Sequence, residues 1–187
     1  VSLDEFTVDV SQSATHIPVD APDLYRIEKI WPTYLSGGML ELILEDLLGL
    51  ESFKTEKKQA QWDYLWFARK FVEENLPFHE MNPADDLVRG EGTVSVGEGG
   101  GKRSDLGAQV LAKPGEVYAV YLPKGTPSGE LDLSGAKGDF TKRWYNPRTG
   151  EFVGSSEKVS GGKWLPMGAP PSDVDSDWAV LVKRVER

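Results

Sequence analysis

The chain has 187 residues, of which 39% are hydrophobic, so it can fill one large core or two small ones. Its net charge of −9 argues against nucleic acid or an anionic membrane as a partner. The absence of cysteine excludes disulfides, thiolate metal sites and a cysteine nucleophile, and two histidines cannot make a histidine-rich metal site. We therefore expect neither a metal nor a cofactor.

The chain begins at Val1 rather than at a methionine, and it shows no signal peptide. No apolar run reaches the roughly 18 residues that a membrane-spanning helix needs. We therefore expect no membrane partner, and we expect this chain to be a piece of a longer protein.

The first 85 residues are predicted to be mainly helical after an extended start, where apolar residues alternate with polar ones over 6–10. A helix begins near Pro22, a favourable first-turn residue, and Pro32 should bend or end it. A second helix is predicted over residues 39–48 and should be buried, because it is apolar on nearly all sides. The longest helix is predicted over residues 56–75.

From about residue 86 the spacing of apolar residues changes from helical to strand-like. Residues 117–122 are apolar on both faces, which predicts a strand that is covered on both sides. A strand over 140–145 ends in a turn at 146–150, with proline at its second position and glycine at its end. Further strands are predicted over 87–88, 93–96, 108–112, 129–132, 151–153, 163–165 and 178–185. Short strands at this spacing indicate an antiparallel β-sandwich or barrel.

Two loops resemble ligand-binding motifs without completing them. Residues 97–104 are glycine-rich like a phosphate loop, but Arg103 follows the lysine where serine or threonine is required, so we predict a hairpin loop. Asp173, Asp175 and Asp177 alternate as in a calcium loop, but the glycine and glutamate that such a loop needs are absent. We predict a solvated acidic loop there, with a weaker, irregular calcium site as the alternative.

Candidate ligand-binding residues cluster where the first helix is expected to break. Trp31 and Tyr34 come just before Ser36 and two glycines, where the backbone can approach a ligand closely. On the predicted helix over 39–48, Glu41 and Glu45 lie four residues apart and share a face. Two carboxylates could flank a glycosidic bond, although a helix surface rarely forms the pocket that this chemistry needs.

The remaining notable aromatic and imidazole side chains are expected to be structural. The helical spacing of Trp62, Trp66 and Phe71 is more typical of a core than of a sugar-binding platform. Trp144 and Trp178 lie in predicted strands and should belong to the sandwich core. His16 and His79 should have packing or surface roles, because the second histidine of a zinc-protease motif is missing after His79-Glu80.

Several segments resemble a known module. Residues 113–123, 131–135 and 140–150, with Asp177-Trp178, look like the sandwich called the "putative collagen-binding domain", which follows glycoside-hydrolase-like (β/α)8 barrels in bacteria. Residues 28–38, 66–71 and 76–78 look like the end of such a barrel. The resemblance covers most of residues 20–185, and its most specific part is the run 144–150.

The resemblance implies an α+β chain with two parts: a mainly helical remnant of a (β/α)8 barrel over residues 1–85 and an antiparallel β-sandwich over residues 86–187. The catalytic carboxylates would lie upstream of Val1, because barrel sites draw on the ends of several strands. The chain alone should therefore lack hydrolytic activity.

The resemblance also implies a partner and a compartment. The full-length protein would be secreted, extracellular or periplasmic, and would act on carbohydrate, and the sandwich would brace the barrel or contact glycans. A stand-alone carbohydrate- or collagen-binding module, a purely structural domain and an active glycosidase remain the alternatives.

Overall fold

The structure, a computed structural model, describes residues 2–8, 21–44, 56–99 and 102–185. Its centre is a six-stranded antiparallel sheet with helices on one face and a three-stranded sheet on the other. The second half thus has the antiparallel sheets that the sequence predicts. None of the described helices combines the length and the apolar character that crossing a membrane requires.

The first part of the chain alternates strands and helices. Strand β1 (Ser2–Val8) is followed by helix α1 (Pro22–Tyr25), a π-helical turn (Arg26–Ile30), helix α2 (Trp31–Leu35), strand β2 (Met39–Leu44) and helix α3 (Glu56–Asn75). Strands β1 and β2 pair in parallel, from Ser2 opposite Met39 to Val8 opposite Leu44. Two parallel strands need a crossover connection, and the helical residues 22–35 lie between these two strands in the sequence.

Residues 39–44 form a strand, so the predicted helix over 39–48 is wrong for the part that is described. A short apolar run is compatible with a buried helix and with a strand covered on both faces, and hydrophobic spacing cannot separate the two. Glu41 therefore lies in a strand, so the helix face that was predicted to carry Glu41 and Glu45 is not formed at Glu41. The side chain of Glu41 and all of Glu45 lie outside the described residues.

Pro32 does not end its helix, which continues to Leu35. In an α-helix the proline ring would clash with the carbonyl four residues earlier, and it has no N–H to donate. The wider π-helical turn over Arg26–Ile30 precedes it, and the Trp31 N–H donates to the Arg26 carbonyl. The helix therefore widens locally just before Pro32, and the predicted bend stays a prediction.

The second part of the chain is built from short strands. They are β3 (Asn82–Pro83), β4 (Val88–Glu91), β5 (Val94–Gly99), β6 (Lys102–Leu106), β7 (Gln109–Lys113), β8 (Val117–Leu122), β9 (Ser128–Asp132), β10 (Asp139–Asn146), β11 (Glu151–Ser160), β12 (Trp164–Pro166) and β13 (Trp178–Arg184). The large sheet has the order β11-β10-β13-β8-β7-β3, the small sheet has the order β12-β9-β4, and β5 and β6 form a separate hairpin. The hairpin predicted around the glycine-rich loop is confirmed by the pairing of Gly97 with Arg103.

Strand β8 lies inside the large sheet and is buried along its whole length, as its sequence predicts. Val117, Ala119 and Tyr121 belong to the core that the sheet shares with the helices, which we call the helix–sheet core. The alternate residues of β8 belong to the core between the two sheets, which we call the sandwich core. One strand therefore contributes to both cores, because neighbouring side chains point to opposite faces.

The sandwich core contains Trp144 and Trp178, which are 4% and 0% exposed, as predicted. Their rings meet edge to face, with centroids 6.0 Å apart. The helix–sheet core contains side chains from both parts of the chain, including Tyr25 and Phe71 from the helices and Leu181 from β13. The boundary between residues 85 and 86 stays a prediction, but apolar packing continues across it.

Candidate functional site

A buried carboxylate connects the helices to the large sheet. Asp177, next to the start of β13, is 1% exposed. Its two carboxylate oxygens accept hydrogen bonds from Arg26 Nε at 2.9 Å and Arg26 Nη2 at 2.8 Å. The Tyr121 hydroxyl donates to the same carboxylate at 2.9 Å. This bidentate ion pair joins residues that are 151 positions apart in the sequence.

The prediction of a solvated acidic loop is therefore wrong for Asp177, although it fits Asp173, whose side chain is 62% exposed. The sequence shows the alternation of the aspartates, but it does not show that one of them meets an arginine from the other end of the chain. No cluster of three or more metal-ligating side chains occurs among the described residues.

Burial and charge act together on the groups around Asp177. Burial alone would lower the pKa of Arg26, but the hydrogen bonds and the charge of Asp177 raise it above its usual value. Burial, reinforced by the Asp177 charge, raises the pKa of Tyr121 well above its usual value. Arg26 also lies over the Tyr64 ring, 4.3 Å from its centroid. Arg26 therefore stays charged and the Tyr121 phenol stays neutral.

The turn at 146–150 reaches the same carboxylate. Asn146 holds the turn through its side-chain oxygen, which accepts from the Arg148 N–H at 3.0 Å, and its carbonyl, which accepts from the Gly150 N–H at 2.9 Å. Arg148 donates to the backbone carbonyl of Asp177 and, at 3.4 Å, to its carboxylate. The turn predicted from proline and glycine is confirmed, and it positions an arginine over the Asp177 site.

The same turn contacts helix α3. Gly150 has φ +73°, and a Cβ at this position would collide with the ring of Phe67. Just before the turn, the Tyr145 hydroxyl donates to the Phe67 carbonyl at 2.8 Å. The run 144–150 therefore holds both the buried carboxylate and the adjacent helix, while Trp144 packs on the opposite face of the sheet.

Trp31, predicted to bind a ligand, is 0% exposed in the helix–sheet core. Its ring stacks on Tyr121 with centroids 5.1 Å apart and an interplanar angle of 6°, and it contacts Phe71 at 5.3 Å. Stacked aromatic pairs contribute about 0.5–1.5 kcal/mol beyond the area they bury. In this chain the ring of Trp31 therefore packs against other side chains of the protein.

Tyr34 lines a cleft of about 300 Å³ between α3 and the start of β2. It is 5% exposed, and burial raises its pKa. Ser36 is exposed, and its hydroxyl donates to the Thr33 carbonyl at 2.9 Å. Glu41 lies in β2, but its side chain is outside the described residues. The structure thus brings Tyr34, but not Trp31, to a cleft, and the ligand-binding role of the four residues stays a prediction.

Two of the three aromatic residues predicted for the core of α3 are on its surface. Phe71 is 0% exposed, but Trp62 and Trp66 are 40% and 56% exposed. At about 100° per residue, Gln61, Ala68 and Phe71 share the inner side of the helix. The two tryptophans lie on the opposite side of the helix, and the helical spacing alone does not assign either side to the core or the surface.

A polar patch with one aromatic ring lies on the outer face of the small sheet. Arg89 lies over the Trp164 ring, 3.7 Å from its centroid, and donates to Glu130 Oε2 at 3.1 and 2.9 Å. Trp164 is opposite Asp132 in the sheet. The sequence did not suggest this patch, because its residues come from three separate strands.

The side chains around Asp177 form an internal contact between the helices and the large sheet. Both oxygens of the carboxylate already accept hydrogen bonds, and the arginine lies in the same buried pair, so neither group is available to a substrate in this structure. His79 is exposed at the surface, with its ring 3.5 Å from the Glu80 carboxylate. The described residues therefore show a site that joins two layers.

Residues 100–183 match the family model described as "Putative collagen-binding domain of a collagenase". This match spans the predicted sandwich from β6 to β13 and includes the turn at 146–150, Asp177 and the tryptophans of the sandwich core. Arg26 and the helices that pack on the large sheet lie outside the matched residues. No curated protein matches the sequence.

Solved structures with a similar fold include one titled "Glycoside hydrolase", at 16% sequence identity and a TM-score of 0.61. The similarity covers 96% of this chain and 40% of that one, so the chain spans well under half the length of its structural neighbour. A glycoside hydrolase family 5 structure from Bacteroides vulgatus ATCC 8482 has 19% identity and a TM-score of 0.47, covering 67% of this chain and 24% of that one. The similarity to the structure titled "Glycoside hydrolase" therefore includes the helices as well as the sandwich, and it concerns the fold alone.

Proposed function

We propose that this chain is the C-terminal part of a secreted glycoside-hydrolase-like protein, in which the β-sandwich braces the end of a (β/α)8 barrel. The observation that carries the proposal is the Arg26–Asp177 pair. Both side chains are almost fully buried, at 2% and 1% exposed, and they join the helices to the large sheet. Separating the partners of such a pair is strongly destabilising because it leaves an uncompensated buried charge, so the pair favours a fixed arrangement of the two layers.

The first part of the chain supports a barrel. Strands β1 and β2 are parallel and are separated in the sequence by a helical segment, as in each repeat of a (β/α)8 barrel. The two helical segments run in the same direction. The start of α1 meets Tyr64 of α3 through Asp23, and Tyr34 of α2 shares a cleft with the later residues of α3. Parallel strands with parallel outer helices are the geometry that a barrel needs.

The position of Tyr34 and Ser36, two of the predicted ligand-binding residues, supports a structural role for them. Tyr34 and Ser36 precede β2, so they lie at the N-terminal end of that strand. Active sites of (β/α)8 barrels lie at the opposite, C-terminal face, and residues at the N-terminal face mainly serve stability. We therefore propose that carbohydrate is bound by the full-length protein at the face where β1 and β2 end, and that this face lies outside the cell or in the periplasm.

The second candidate is a stand-alone carbohydrate- or collagen-binding module. The polar patch of Arg89, Glu130, Asp132 and Trp164 favours glycan contact, because an aromatic ring with charged neighbours can stack on a sugar and bind its hydroxyls. The family-model description favours collagen. In the structure, however, one face of the Trp164 ring is already covered by Arg89.

Retention of the whole 187-residue chain on insoluble polysaccharides and on fibrillar collagen distinguishes these roles. The bracing role predicts no retention on either material, and Trp164→Ala is the matched control because it removes the ring from the polar patch without touching the Asp177 site. Retention on a polysaccharide that Trp164→Ala abolishes would establish the glycan contact. Retention on collagen would favour the stand-alone module and would count against bracing as the main role.

A further inference from the structure

We draw no further inference here: the strongest candidate, the cavity of about 480 Å³ that Arg89 and Glu130 of the small sheet line, belongs to the polar patch whose contact with a glycan is already part of the second candidate function.

Discussion

Asp177 shows how one residue can decide the arrangement of a whole layer. A carboxylate that is 1% exposed is stable only if it is paired and hydrogen-bonded, and Arg26, Tyr121 and Arg148 all donate to it. A buried ion pair is not in itself more stabilising than apolar side chains of similar shape. It does, however, accept few other geometries, because both ends of the bidentate contact must align.

Asp177→Asn should lower the free energy of unfolding by about 3 kcal/mol, because it leaves the buried charge of Arg26 without its main partner. The measurement is the urea midpoint followed by tryptophan fluorescence. Asp173→Asn is the matched control: its side chain is 62% exposed and 3.5 Å from Arg148, so its effect should stay within about 0.5 kcal/mol. Equal midpoints for the two variants would show that the Asp177 pair does not hold the layers together.

At the scale of elements, the turn after β10 is the piece of the sandwich that fits helix α3. Gly150 is required there for two separate reasons, a left-handed backbone and the close ring of Phe67. The hydroxyl of Tyr145 adds a hydrogen bond to the helix backbone at 2.8 Å. The most specific run of the sequence therefore serves the contact between sandwich and helix.

Gly150→Ala should destabilise the protein by about 2–4 kcal/mol, since it combines left-handed strain with overpacking. Gly90→Ala separates the two causes, because Gly90 has φ +71° and no atom near its missing Cβ. The difference in free energy of unfolding between these variants measures the clash with Phe67. Adding Phe67→Ala to Gly150→Ala should remove most of that difference, and a purely additive double variant would contradict the contact.

Spacing of apolar residues predicted the elements whose environment is uniform along their length. Strand β8 was predictable because both its faces are apolar, and α3 because its length exceeds that of any strand. Strand β6, with the sequence Lys-Arg-Ser-Asp-Leu, has no apolar alternation and owes its pairing to β5. Residues 39–44 were misassigned because a fully apolar segment has the same composition in a buried strand and a buried helix.

The contacts that make the Asp177 site could not be predicted from the sequence for a different reason. Arg26 and Asp177 are far apart in the chain, and neither stands in a pattern that indicates burial. The same holds for Trp62 and Trp66, because their exposure depends on which side of α3 the large sheet covers. Local sequence gives the turn at 146–150, but not what the turn touches.

At the scale of the whole molecule, the helix–sheet core holds several tyrosines that must stay neutral. Burial raises the pKa of Tyr25, Tyr121 and Tyr145 above the usual value for a phenol. In the unfolded chain these groups ionise near pH 10, as model peptides do. Their contribution to stability is therefore complete below about pH 10 and is lost as pH rises towards their higher folded pKa values.

We therefore expect the free energy of unfolding to fall steadily above about pH 10, measured by urea midpoints at a series of alkaline pH values. Tyr121→Phe removes one of the buried phenols, so the stability of this variant should fall less steeply over the same range. A wild-type midpoint that is constant through this range would contradict neutral burial of these side chains. The slope compares only pH effects, so the constant cost of losing the Tyr121 hydrogen bond does not enter.

The double use of strand β8 has a consequence for how such a protein can evolve. Modules that recombine between genes are ordinarily closed units whose surfaces tolerate any neighbour. Here Val117, Ala119 and Tyr121 of the sheet are shaped to the helices that precede it, and an insertion of one residue in β8 would exchange the side chains of the two cores. The sandwich is therefore best inherited together with the helices it covers, and transplanting it to an unrelated enzyme would leave one apolar face without a match.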